Sequence, residues 1–133
     1  MATAAPIPRA LSEYQRLGQE LLESGSPLVA YDTLAEGVAL FPTDARLRQL
    51  LALALVRTGA TRCASRLLSA LKQEGHTDEE TLGLLGRVHK DLWEDSIDPT
   101  ERRAHLEQAF RYYRDAYRIT NGIWTGIRSS AGN

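Results

Sequence analysis

Apolar residues recur along this chain at intervals of three and four positions, in six stretches separated by glycine or proline. That spacing places apolar side chains on one face of a helix, and no stretch shows the two-residue alternation typical of a strand. The pattern therefore predicts six helices. They cover about residues 8–24, 27–41, 45–58, 61–75, 78–93 and 99–119. The stripe predicted for the second helix is Leu28, Ala30, Tyr31, Leu34 and Val38.

Residues with known capping preferences mark the helix ends. Gly25 ends the first helix, and Pro27 stands at the first position of the second, where proline is favoured. Asp44 is expected to cap the third helix. Thr77 and Glu80 have the spacing of a capping box, which predicts the start of the fifth helix.

The last part of the chain departs from this regular pattern. An insert at about residues 94–103 separates the fifth and sixth helices, and Pro99 marks the start of the sixth. Asn121-Gly122 is expected to end that helix. Residues 123–127 look like the first turn of a seventh helix.

The six helices form three copies of a unit of 34 residues. A leucine followed by a small residue recurs at this period, as Leu17-Gly18, Leu51-Ala52 and Leu85-Gly86. This period is typical of stacked helical hairpins, each of which buries its apolar face only against its neighbours. The small residues are expected where two helices approach closely, because a larger side chain would overpack the contact. The third helix is apolar around most of its circumference, which predicts a central position.

The first copy resembles the tetratricopeptide repeat (TPR) consensus. The matching residues are Tyr14, Leu17, Gly18, Leu21, Ala30, Leu34 and Pro42. In the second copy Arg48 replaces the aromatic residue and His76 replaces the proline, whereas the third copy matches again. The resemblance implies an all-α fold of three stacked antiparallel hairpins, forming a right-handed solenoid that binds other proteins. The hairpins are expected at about 8–42, 44–75 and 78–120, in one domain at 8–128 with a flexible leader at 1–7 and a flexible tail at 129–133.

The last third of the chain resembles a second, narrower family. The residues are Gly86-Arg87-Val88-His89-Lys90-Asp91, Ala109-Phe110-Arg111-Tyr112-Tyr113-Arg114 and Gly126-Ile127. They look like the TRAFs-binding, or central regulatory, region of apoptosis signal-regulating kinases and of bacterial signalling proteins. This resemblance implies a regulatory platform in a larger protein, which couples partner binding to an effector domain.

Composition narrows the function class. The net charge of −1 argues against a general nucleic-acid or anionic-membrane binder, which usually carries a basic excess. No stretch reaches the roughly 18 apolar residues of a membrane span. The single cysteine, Cys63, excludes an internal disulfide, so a cytoplasmic setting is expected. The sequence shows no phosphate loop, metal-ligand spacing or catalytic triad, so we expect neither an enzyme, nor a cofactor, nor a metal site.

The first helices of the hairpins are expected to line a groove for a protein or peptide partner. The groove residues are Gln15, Gln19, Glu23, Arg46, Gln49, Leu53, Val56, Arg57, Arg87 and Lys90. The four cations among them would bind acidic groups of the partner. The alternatives are a solvated helix face without a ligand, and a ligand-sensing groove for a small molecule or short peptide. The resemblance does not extend to the chaperone-tail binders, because their clamp of lysine and asparagine is absent.

The sixth helix offers a second candidate surface at the end of the array. Its apolar residues are Leu106, Phe110, Tyr113 and Tyr117, and Trp124 follows them. We expect this end face to self-associate or to be covered by a further repeat, because a truncated solenoid exposes apolar surface. Arginines between the tyrosines of this helix also resemble a single-strand nucleic-acid surface. Acidic residues at helical spacing favour a salt-bridged face instead. His89 is expected to be a packing residue.

Overall fold

The structure, a computed structural model, describes the backbone of residues 9–132 and the side chains of residues 9–121. Within that range it contains six α-helices and no strand. The helices are α1 Leu11–Glu23, α2 Pro27–Leu40, α3 Ala45–Arg57, α4 Thr61–Gln73, α5 Glu79–Asp95 and α6 Pro99–Gly132. Neighbouring helices pair into three hairpins, and the second helix of each hairpin packs against the first helix of the next. The predicted all-α, three-hairpin fold is confirmed.

Of the four predicted helix-end signals, three are confirmed and one is wrong. α1 ends at Glu23, and Gly25 follows it with a positive φ of 78°. The Asp44 side chain accepts a hydrogen bond of 2.8 Å from the backbone N–H of Leu47 at the start of α3. Pro27 begins α2 as predicted. The N-cap of α5 is Asp78, one residue after Thr77, and its carboxylate accepts bonds from Thr81. Because Asp is itself a strong N-cap, it takes the position that the capping-box spacing gave to Thr77.

The third hairpin has longer helices than the sequence predicted. The insert at about 94–103 is mostly helical, because α5 continues to Asp95 and α6 already begins at Pro99. The predicted break at Asn121-Gly122 is wrong, since the backbone of α6 continues helically to Gly132. A single asparagine and glycine cost only about 1–2 kcal/mol in a helix, which a long helix tolerates. Residues 123–127 therefore belong to α6 and do not begin a seventh helix. The leader predicted at 1–7 lies outside the described residues.

The core consists of two clusters that meet on α3. Leu47 and Leu50 of α3 pack into the first cluster, with the buried side chains of α1 and α2. Ala52 and Val56 of the same helix pack into the second cluster, with the buried side chains of α4 and α5. Opposite sides of α3 are therefore buried in different hairpin contacts, and its predicted central position is confirmed.

The apolar stripe predicted for α2 is correct only in part. Ala30 and Leu34 are fully buried, whereas Leu28 and Tyr31 are 71% and 39% exposed. Leu28 lies in the first turn of α2, where no neighbouring helix covers it. Apolar spacing alone marks a helix face, but it does not show how far along that face the neighbour extends.

Arg48, which stands where the TPR consensus has an aromatic residue, is buried on α3. Its exposed fraction is only 8%, and both terminal nitrogens of its guanidinium contact the carboxylate of Glu74 just after α4. The hydrogen bond from Arg48 lowers the pKa of Glu74 below its ordinary value. The arginine stem is buried, while its charged end pairs with the more exposed carboxylate of Glu74.

The glycines that follow the repeated leucines allow close helix contacts, as predicted. A Cβ at Gly18 would overlap Leu34 Cδ2 and lie 2.7 Å from its Cγ. A Cβ at Gly86 would lie 2.9 Å from the ring of Tyr113. Each glycine therefore lets the second helix of its own hairpin approach the first.

We expect Gly18→Ala to lower the free energy of unfolding by about 1–3 kcal/mol, because fully buried Leu34 has no free space to move into. Chemical denaturation followed by circular dichroism measures this difference. The matched control is Gly83→Ala on α5, where no atom lies within 4 Å of the added Cβ. That control should gain about 0.5–1 kcal/mol through helix propensity. Equal effects of the two substitutions would contradict the proposed close contact.

Candidate partner-binding surfaces

The predicted groove residues lie on α1, α3 and α5, the first helices of the three hairpins. These helices lie side by side, with α3 in contact with both others. We call this surface the first-helix face. The groove residues all lie on these three helices, and the structure pairs several of them with other residues of the array.

A hydrogen bond repeats across the two junctions between hairpins. Gln15 Nε2 donates to Asp44 Oδ2 at 3.0 Å, and Gln49 Nε2 donates to Asp78 Oδ2 at 2.9 Å. Both members of the second pair stand 34 residues after their counterparts. Each glutamine thus reaches from one hairpin to the N-cap aspartate of the next hairpin. Gln49 also donates to Thr81 Oγ1 at 2.8 Å and is only 7% exposed. These residues join neighbouring hairpins, and the repeat period could have revealed the pairing.

Two of the four groove cations are also paired within the array. Arg46 Nη1 lies 2.5 Å from Glu80 Oε1, again 34 residues further along the chain. Arg57 Nη1 donates at 2.7 Å to the backbone carbonyl of Leu22, near the end of α1. Both arginines connect α3 to a neighbouring first helix, so they are less available to a partner than the sequence implied.

The other two cations, Arg87 and Lys90, are exposed on α5. Neither forms a hydrogen bond or an ion pair with a residue in the part of the chain that the structure describes. They stand three positions apart, so their side chains lie on the same side of the helix. The positive charge that remains for a ligand on this face is therefore concentrated at the third hairpin.

The remaining groove residues contribute little free surface. Val56 is buried in the second core cluster, and Leu53 is half-buried against the first. Gln19 donates to Glu23 at 3.1 Å along the exposed side of α1. The apolar floor predicted for the groove, Leu53 and Val56, therefore belongs to the core and does not line an open pocket.

The end face of α6 is exposed within the described part of the chain. Leu106, Phe110, Tyr113 and Tyr117 are 47%, 66%, 42% and 66% exposed. Within the described residues α6 packs mainly against α5, and its Tyr112 also contacts Lys72 of α4. A shallow hollow of about 480 Å³ lies along this face, beside Leu106 and Phe110. The side chain of Trp124, the fifth residue predicted here, lies outside the described residues.

Histidines and aromatic side chains fill the contact between α5 and α6. Half-buried His89 lies with its Nδ1 3.1 Å from Nδ1 of His105, and its ring stacks on Tyr112 at 5.5 Å. Burial, and to a lesser extent the neighbouring His105, lowers the pKa of His89, which favours the neutral imidazole. This environment is that of a packing histidine. No group of three potential metal ligands occurs among the described residues.

The arginines of α6 are partly engaged with neighbouring side chains. The Arg102 guanidinium lies 5.3 Å from the ring of Trp93, and Arg114 contacts Asp115 at 3.3 Å. The Arg114 pair joins adjacent residues, and within the described part of α6 no ion pair forms between residues four apart, so the salt-bridged face stays a prediction. None of the helices in the described part of the chain has the length and apolar character of a bilayer span.

Comparison with known families agrees with this architecture. The sequence model of the tetratricopeptide repeats-sensor family (TPR-S) matches residues 28–129, about three quarters of the chain. The chain belongs to the TPR-S family. TPR-fold proteins are in general protein–protein interaction scaffolds without enzymatic activity, and this TPR-S chain has the architecture of such a scaffold. No curated protein matches its sequence.

The TPR-S chain is also similar to a solved structure, that of a thermophilic TPR protein from Thermus thermophilus. The two have a TM-score of 0.77 and 22% sequence identity over 83% of the TPR-S chain. The chain spans 57% of the length of that protein. This similarity confirms the TPR-type helical solenoid.

Proposed function

We propose that this TPR-S chain is the regulatory, partner-binding module of a larger cytoplasmic signalling protein or assembly. The observation that carries the proposal is a pair of exposed cations, Arg87 and Lys90, at the third-hairpin end of the first-helix face, which have no ion-pair partner among the described residues. They lie in the segment that resembles the central regulatory region of apoptosis signal-regulating kinases. In this proposal they bind an acidic segment of a protein partner.

The paired residues of the face support this assignment. The hydrogen bonds of Gln15 and Gln49 hold successive hairpins in a fixed orientation, so the face is preorganised before a partner arrives. Among the described residues Arg87 and Lys90 have no ion pair to give up, and a carboxylate of the partner would therefore be a net gain. Arg46 and Arg57 would instead have to break existing contacts.

We expect the double substitution Arg87→Glu with Lys90→Glu to weaken partner binding at least about tenfold, since it turns two attractions into repulsions. Affinity capture from the source cell's lysate would identify the partner, and calorimetry with the purified partner would measure the dissociation constant. Arg62→Glu with Arg66→Glu on α4 carries the same change of charge on a different helix. A partner that binds both variants equally well would contradict the proposal.

The alternative is a ligand sensor, in which a small molecule or short peptide occupies the first-helix face and changes the curvature of the array. The description of the family as a sensor favours this alternative. A pool of anionic metabolites that raises the melting temperature of the wild type, but not of the double variant, would support it. A nucleic-acid accessory role, the third candidate, would instead show binding that falls steeply with salt concentration.

A further inference from the structure

We propose that two copies of this chain associate through α6, in an antiparallel pair related by a twofold axis between Phe110 and Tyr113. The end face of α6 is the seam of this pair. The inference goes beyond the proposed function, because it identifies a second binding surface, on α6, and its occupant.

The spacing of the exposed residues is that of a helix–helix seam. Leu106, Phe110, Tyr113 and Tyr117 follow one another at intervals of four, three and four residues. Side chains at these intervals form a nearly straight stripe along a helix, which is the pattern that pairs two helices. An isolated exposed apolar side chain is ordinary, but four in one stripe are typical of an interaction site.

The position of the stripe continues an interface that the array already uses twice. α2 packs against α3, and α4 packs against α5, so the second helix of each earlier hairpin is covered by a following helix. Within the described residues α6 has no such following helix. It is also twice as long as α5, 34 against 17 residues. A helix of a second copy would fill the vacant position.

The charges beside the stripe determine the direction of the pair. Glu107 and Arg114 stand seven residues, or about two helical turns, apart, so they lie on the same flank of the stripe. This is the flank away from α5, and both residues line the hollow there. In an antiparallel pair these flanks lie on the same side, so Glu107 of each copy faces Arg114 of the other. The twofold symmetry forms this ion pair twice. A parallel pair would place the same flank against Ala109 and Ala116, which are buried against α5.

The apolar residues fit the same register. A twofold axis between Phe110 and Tyr113 places Phe110 against Tyr113 of the second copy, and Leu106 against Tyr117. Every large exposed side chain of the stripe thus meets another apolar side chain. Glu107 forms no hydrogen bond or ion pair within the described residues, and Arg114 contacts only Asp115, in an exposed pair of small energetic value. Both charged groups are therefore available to the second copy.

Sedimentation equilibrium of the chain, over concentrations from about 1 to 200 μM, tests the proposal. One chain has a mass of 14.8 kDa. We expect the apparent mass of wild type to approach twice that value as concentration rises. Phe110→Asp should remain monomeric with an unchanged circular dichroism spectrum, because this side chain is 66% exposed and its loss leaves the core intact. A wild type that is monomeric throughout this range would overturn the inference.

Charge exchange at the flank tests the direction of the pair. Glu107→Arg and Arg114→Glu should each raise the dimer dissociation constant about tenfold, because each places like charges opposite one another twice. The double variant that exchanges the two charges should recover the wild-type constant. Glu94→Arg, an exposed site on α5, is the control and should leave the constant unchanged. Dimers whose exchange variant does not recover would overturn the antiparallel register.

Discussion

Replacing Leu68 by alanine is expected to lower the free energy of unfolding by about 2–5 kcal/mol. Leu68 is fully buried on α4, in the cluster that contains Ala52 of α3 and Leu85 of α5. Its side chain therefore contributes to packing within the second hairpin and to the contact with the third. Because a domain of this size is stable by only about 5–15 kcal/mol, this single cavity would remove a large share of the total.

Urea denaturation followed by circular dichroism measures the effect, and Leu28→Ala is the matched control. Leu28 is the same residue type on the second helix of another hairpin, but it is 71% exposed. Its replacement should change the free energy of unfolding by no more than about 0.5 kcal/mol. If Leu68→Ala cost less than about 1 kcal/mol, the packing described for the second cluster would be wrong.

The repeat period made the fold predictable from the sequence. Stacked hairpins use the same contacts at each junction, so the positions that must be small or apolar recur every 34 residues. Gly18 shows this directly, because the glycine that the pattern marks is the one that Leu34 packs against. The central position of α3 was predictable for a similar reason, since a helix that contacts neighbours on opposite sides needs apolar residues on both.

Helix ends were less predictable, because they depend on the balance between local and distant interactions. Thr77 and Asp78 are both good N-caps, and the sequence alone did not determine that Asp78 would occupy the position. Its selection is understandable in the structure, where the carboxylate also accepts a hydrogen bond from Gln49 of the preceding hairpin. Residue preferences alone likewise did not predict that α6 continues through Asn121-Gly122.

The sequence could assign the candidate site residues to particular helices, but it could not predict which of them are free to bind a partner. Sequence spacing placed Arg46, Arg57, Arg87 and Lys90 on the first helices, and the four residues lie on α3 and α5. It did not reveal that Arg46 pairs with Glu80, because an ion pair between helices depends on how far apart the hairpins stack. The position of Phe110 on the apolar stripe of α6 was predictable from the spacing, and the structure shows its side chain 66% exposed.

Gln49→Leu is expected to lower the free energy of unfolding by about 1.5–3 kcal/mol, the usual cost of losing hydrogen bonds to a charged group. Leucine has a similar volume, so the change removes the bonds to Asp78 and Thr81 without opening a cavity. Gln15→Leu is the matched control, because it removes the equivalent but single bond at the first junction. It should cost about half as much, since Gln15 is less buried than Gln49.

The acid dependence of the Gln49→Leu effect provides a second readout. Burial tends to raise the pKa of Asp78, but hydrogen bonds from the Thr81 side chain, the backbone and Gln49 hold it below its ordinary value of 3.8. Since the folded pKa lies below the unfolded one, the ionised carboxylate stabilises the fold above pH 3.8, and this contribution is lost as pH falls through the folded value. Denaturation at a series of pH values should therefore show wild type and variant converging in acid. A difference between them that stays constant down to about pH 2 would mean that Gln49 stabilises the junction through packing and not through the carboxylate of Asp78.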